Sequence, residues 1–162
     1  MSTRIEYDWE WHEARLRAAK SYWVVTTRAD GRPHTAPVWG VWLDGGLWFS
    51  TAADAVKARN LARDPRLIVH LDSADDLLLV EGQAEPVTDA DRLAAADAAY
   101  AAKYRMTDGT PVGLTVVPGS VIFRVRPQTG MTWLEPAFVQ TMTRWRFGAA
   151  GAAPTSEVMT YG

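Results

Sequence analysis

The chain has 162 residues, no cysteine, a formal net charge of −2 and 22% charged residues. That length favours one domain. The missing cysteine excludes a disulfide scaffold, a thiolate nucleophile and cysteine-ligated metal sites. No apolar run reaches the roughly 18–20 residues of a membrane helix, and the charge gives no basic field for nucleic acid. Met1 to Trp11 carries charges and no apolar stretch, so no secretory leader is read there and the cytoplasm is the expected compartment. Eight tryptophans call for a large core or an aromatic-lined pocket or interface.

Residues 9–20 read as a short helix, with Trp9 and Leu16 on one stripe and His12 expected at the surface. Residues 21–27 are β-branched and aromatic, as strands are. Asp30-Gly31 then marks a hairpin turn. His34 to Leu43 reads as the second strand, and Pro37 demands an edge or a bulge there. Asp44-Gly45-Gly46 is a second turn before a third strand, Leu47 to Thr51, which would complete an antiparallel meander.

Residues 54–64 predict a short helix, with Asp54 as its N-cap and Pro65 beyond its end. Arg66 to Asp72 and Leu77 to Pro86 are two further strands. Ala90 to Lys103 is an alanine-rich helix capped by Thr88 or Asp89. Thr107 to Pro118 reads as a loop, and Ser120 to Arg126 alternates as a strand. Met131 to Leu134 and Thr141 to Phe147 are late strand candidates. The domain therefore runs over residues 1–147, and 148–162 read as a flexible tail. Six or more antiparallel strands with few helices predict a mainly β fold, a barrel whose closure removes exposed edges.

Several chemistries lack their residues. There is no G-x-S-x-G, no H-E-x-x-H or close histidine pair, no G-x-G-x-x-G and no P-loop, so no hydrolytic triad, metal site or nucleotide cradle is read. The stretch from Phe49 to Pro65 is more informative. A strand ends in Ser50-Thr51 and a helix begins within a few residues, and a helix N-terminus suits a phosphate. Lys57 lies in the first turn, where its charge opposes the helix dipole unless an anion binds. Asn60 shares its face, whereas Arg59 and Arg63 lie on another. Asp54 argues against a phosphate directly at the cap. Trp39 and Trp42 must point to opposite sides of their strand. Arg144 and Arg146 share one face of the last strand and Trp145 takes the other.

These runs together carry a resemblance. Asp30-Gly31-Arg32-Pro33-His34, Pro37-Val38-Trp39, Trp48-Phe49-Ser50-Thr51 and Lys57-Ala58-Arg59-Asn60-Leu61 resemble the pyridoxamine-phosphate-oxidase-like split β-barrel superfamily. Val80-Glu81-Gly82-Gln83-Ala84-Glu85 looks like that family's V-x-G-x-A-E strand, and the match covers roughly residues 20–126. The resemblance implies a split antiparallel β-barrel with flanking helices, forming a homodimer with cofactor sites at the subunit interface. Lys57 would contact the cofactor phosphate, with Asn60 or Arg59 nearby. Ser50 and Thr51 would meet the phosphate-side chain or the ring edge. The backbone at Val38 and Trp39 would face the ring, and Arg144 and Trp145 match the late residues that members send across the dimer.

The chain departs from the oxidases proper at Ala36, Ala55 and Val56, where they carry Arg, Ser and Arg. The vitamin oxidase reaction is therefore not expected. The K-x-R-N-L form is similar to the deazaflavin branch, which implies coenzyme F420 and hydride transfer to an unsaturated small molecule. The alternatives are an FMN-dependent oxidoreductase and a non-catalytic flavin-, F420- or heme-binding protein. No proton donor is named, although His34 is a candidate.

Overall fold

Two hairpins open the fold. The structure, a computed structural model, describes residues 5–160. After helix α1 (Trp9–Ala18), strands β1 (Tyr22–Thr27) and β2 (Pro33–Val38) pair antiparallel, Thr26 facing His34 across them. Gly31 supplies the positive φ of their turn, 85°. Strands β3 (Val41–Leu43) and β4 (Gly46–Ala52) form the second hairpin. Asp44 and Gly45 make its two-residue turn with φ of 51° and 69°, a mirror-image turn whose twist matches the strands.

The expected second strand is thus two strands, broken at Trp39-Gly40, and the expected meander does not form. The remaining elements are α2 (Val56–Arg63), β5 (Arg66–His70), β6 (Leu78–Pro86), α3 (Ala90–Lys103), β7 (Ser120–Thr132), α4 (Phe138–Thr141), β8 (Thr143–Arg146) and β9 (Thr155–Val158). Hydrogen bonding runs in the order β2-β1-β5-β6-β7-β4-β3, with β8 beside β7 and β9 beside β8. β2 and β3 are therefore the two ends of this path, yet only Trp39 and Gly40 separate them in the chain. Two residues span no more than roughly 10 Å. The sheet must curl until its ends approach, and among the described residues no ladder closes the seam. Pro37 fits this position, since β2 has one strand partner and needs no donor on its outer edge.

The curled sheet encloses one apolar cluster that includes Tyr22, Val24, Phe49, Val69, Val80 and Val125. A second cluster lies under α3 and includes Trp48, Tyr100, Tyr104, Leu114 and Ile122. Long β7 joins the halves, pairing with β4 through residues 120–124 and with β8 through residues 129–132. It absorbs the late strand expected at Met131, and α4 occupies the start of the strand expected from Thr141.

Two further expectations change. His12 is buried, not exposed, because α1 lays it against Trp9, Trp11 and Trp145, the last at 5.6 Å between ring centres. Residues 155–158, expected to lack structure, form β9 on the edge of β8, with Arg146 paired to Glu157 at 3.0 Å.

Candidate functional site

The junction from β4 to α2 is built by the sequence Ser50 to Lys57. β4 ends just past Thr51, and the chain turns through residues 53–55 into α2. Asp54 is not the cap. The N-cap is Ala55, which offers no side-chain acceptor, while the Asp54 carbonyl receives Arg59 Nη1 at 2.7 Å. The first turn also holds no acidic residue. Its free N–H groups and partial positive charge therefore meet no anion from the helix itself. This removes the objection that Asp54 raised at the sequence level.

Lys57 sits in that turn and makes no hydrogen bond or ion pair among the described residues, although Arg59, Arg63 and Asn60 of the same helix are all engaged. Arg63 Nη2 donates to the carbonyl of Thr27. Asn60 is buried, and its Nδ2 donates to Thr26 Oγ1 at 3.0 Å. Asn60 thus fixes α2 on β1, and its amide is turned inward. Thr51 is buried and Ser50 half-buried beside it, one on each face of β4.

Thr26 faces His34 across the hairpin, so the Asn60 bond leads directly to His34. His34 Nδ1 is buried without a hydrogen-bond partner among the described residues. The imidazole is held below its ordinary range by burial first, then by the positive charges of Arg28 and Lys57. His34 accordingly sits in the positive field of Arg28 and Lys57. Sequence reasoning missed Arg28, which precedes the Asp30-Gly31 turn and becomes a neighbour only when β1 and β2 pair.

Val38 ends β2 and Trp39 follows it. Val38 is buried, whereas Trp39 is 42% exposed and stacks on Tyr104, with ring centres 4.6 Å apart and planes 5° apart. Trp42 and Trp48 are buried, their indole N–H groups donating to Glu13 Oε1 and to the Leu43 carbonyl. The opposite faces expected of Trp39 and Trp42 presumed one strand, but Trp39 lies in the link after β2 and Trp42 in β3; of the three tryptophans only Trp39 is exposed.

Arg144 and Trp145 are not brought to this place. Ile122 lies opposite Ser50 and Met131 opposite Arg144, nine residues apart on β7, roughly 30 Å along an extended strand. Arg144 is exposed, whereas Trp145 is buried, with its Nε1 on Thr132 Oγ1 at 2.8 Å. A cavity of about 890 Å³ also lies away from α2. It is bounded by the start of α1, the Asp44-Gly45 turn, Arg124 and residues 148–154, and Trp145 is the one predicted site residue that lines it. Among the described residues, no group of three or more His, Asp or Glu could hold a metal ion.

The family profile described as pyridoxamine 5'-phosphate oxidase matches residues 9–134. The chain belongs to this family. No curated protein matches it. Among solved structures, the conserved hypothetical protein Rv2991 from Mycobacterium tuberculosis is 25% identical, with TM-score 0.65 over 83% of this chain and 91% of that one. A structure described as an F420 reductase is 23% identical, with TM-score 0.57 over 73% of this chain and 94% of its own. The heme storage protein HutZ from Vibrio cholerae is 21% identical, with TM-score 0.60 over 75% and 92%. The family thus places oxidoreductases and binding proteins on one curled antiparallel sheet, and fold alone does not choose between them.

Proposed function

We propose that this chain is an F420-dependent oxidoreductase that moves a hydride between the deazaflavin and an unsaturated small molecule. The observation that carries it is the uncapped start of α2 with Lys57 unengaged inside it. A lysine placed against the helix dipole, with no carboxylate of its own, is stabilised by a bound anion. Arg28 adds its charge to the same field, which His34 feels as a neutral imidazole. The residues present therefore fit a phosphate-bearing cofactor.

The hydride chemistry belongs to the deazaflavin, and the chain supplies binding, orientation and exclusion of water. Lys57 and the α2 amides hold the phosphate, with Arg59 at the rim and Asn60 setting the helix in place. Ser50 and Thr51 line the approach from β4. The Val38–Trp39 backbone faces the ring. The absence of arginine at Ala36 and Val56 leaves fewer phosphate contacts than the vitamin oxidases use, which favours F420 over FMN.

The site is completed in a homodimer. Arg144 is exposed about 30 Å along the sheet from Ser50, so it reaches a phosphate or a cofactor tail only on a second subunit. Trp145 serves its own chain's core and lends the partner no side chain.

Titration with F420, and separately with FMN, tests the reading through Trp39 fluorescence. Saturable quenching by F420 at micromolar concentration, weakened at least about tenfold in Lys57→Ala, is the expected result. Tighter binding of FMN would move the protein to the flavin branch. No binding of either would remove the cofactor reading.

A further inference from the structure

The link between β2 and β3 has no strand to pair with. Gly40 is buried in that link, and a buried backbone N–H or C=O without a partner is strongly unfavourable. Its partners come from the far end of α3, more than sixty residues along the chain. The Gly40 N–H donates to the Tyr104 hydroxyl at 3.0 Å. The Gly40 carbonyl accepts from Lys103 Nζ at 2.9 Å and lies 2.8 Å from the same Tyr104 hydroxyl. That hydroxyl also reaches the Lys20 carbonyl at 2.7 Å, so its one proton is shared between two acceptors. Residue 40 must be glycine, because a Cβ there would sit 2.7 Å from Leu47 Cδ1 and from the Trp48 carbonyl oxygen.

The same two residues also fix what stands beside Gly40. The Tyr104 ring carries Trp39 on its face at 4.6 Å. Lys103 Nζ is held by the Tyr22 hydroxyl at 2.9 Å and lies over the rings of Tyr22 and Tyr104 at 4.8 and 5.2 Å. Burial brings its pKa down to about 8, with no carboxylate contributing to the shift. A lysine desolvated with no carboxylate in its surroundings is unfavourable unless its contacts repay it.

We infer that Tyr104 and Lys103 are positioning residues that clamp the Trp39–Gly40 link, and through it set the backbone proposed to face the cofactor ring. The inference rests on the cofactor reading above for the ring, and on the structure alone for the clamp. Neither residue touches the cofactor. Their effect reaches it through Gly40 and through the fixed plane of Trp39. The α2 phosphate site does not depend on them, since Lys57, Thr26 and His34 lie on other elements.

Tyr104→Phe keeps the ring stack and deletes the hydroxyl, and Lys103→Met keeps the stem and deletes the ammonium. Three readouts separate the roles: F420 affinity, inorganic phosphate affinity, and hydrogen exchange at the Gly40 amide. In Tyr104→Phe the Gly40 amide is expected to exchange about tenfold faster, and F420 to bind about tenfold more weakly. Phosphate binding should stay within about twofold. A purely structural role would lower both affinities together, and that result overturns the inference. Unchanged Gly40 exchange overturns the clamp. Faster exchange with unchanged F420 affinity overturns its connection to the site. If Tyr104→Phe fails to fold, Lys103→Met decides by the same three readouts. Absence of F420 and FMN binding in the unmodified chain overturns the cofactor reading and the positioning role together. Intact binding there with no change in either variant overturns the positioning role alone.

Discussion

Asn60 Nδ2 and Thr26 Oγ1 meet at 3.0 Å in the interior, and this bond, with Arg63 on the Thr27 carbonyl, ties α2 to β1. It explains why an asparagine occupies the buried face of a helix whose other inward residues are Ala58 and Leu61. Thr26→Val would leave the amide without an acceptor. The expected loss is about 1–3 kcal/mol, seen as a lower urea midpoint with an unchanged slope. An unchanged midpoint would show that the bond carries no stability.

The caps of α2 and α3 predict opposite outcomes for two aspartates. Asp89 Oδ1 accepts from the Arg92 N–H at 2.9 Å, whereas Asp54 caps nothing through its side chain. Asp89→Ala should destabilise by about 1 kcal/mol, and Asp54→Ala should be near neutral. Thermal unfolding of the two variants checks this, and equal losses would restore Asp54 as a cap.

His12 predicts an acid sensitivity. Burial first, and then the Arg15 charge, push its pKa down from 6.5 to about 4. The unfolded chain therefore takes up this proton first as pH falls. The stability that neutral His12 permits is complete above about pH 6.5 and is lost as pH drops toward 4. His12→Phe keeps an aromatic ring and removes the proton site. Compared with this variant, the unmodified chain should lose stability between pH 6.5 and 4, by no more than roughly 3 kcal/mol. Parallel profiles would contradict it.

Gly40→Ala tests the seam. The added methyl meets a carbonyl oxygen as well as a side chain, so the neighbours cannot all yield. A loss of about 1–3 kcal/mol is expected in chemical denaturation. Gly31→Ala meets nothing within 4 Å but is strained by its φ of 85°, and should lose about 1 kcal/mol.

Much of this fold was legible in the sequence. Asp-Gly placed both early hairpins, because positive φ at a turn leaves few residue choices. The alternation of Ser120 to Arg126 gave most of β7. The break at Trp39-Gly40 was not legible, since Pro37 and Gly40 fit an edge or a bulge within one strand as well as a break between two. Only pairing shows that its two halves serve opposite ends of the sheet. His12 was misjudged because its helix has many charged neighbours, while its burial comes from Trp145, more than a hundred residues away. At the proposed site, Lys57 was singled out from its spacing past a strand end. Arg28 and Tyr104 were not, because neither lies near Lys57 or Gly40 in the chain. Asn60 was legible as a special residue, but its partner, Thr26, was not.

The order of the sheet has a consequence for how the chain assembles. Residues 22–52 contain two complete hairpins, but these lie at opposite ends of the path and share no ladder. β5 and β6 extend the first hairpin only, and β7 alone joins them to β4. A nascent chain that stops before Ser120 thus leaves open the edges of β6 and β4 that β7 later fills, with nothing yet between them. Such edges invite pairing with other chains. Commitment to the native sheet waits for β7, a non-local step that makes folding slow for a chain of this size.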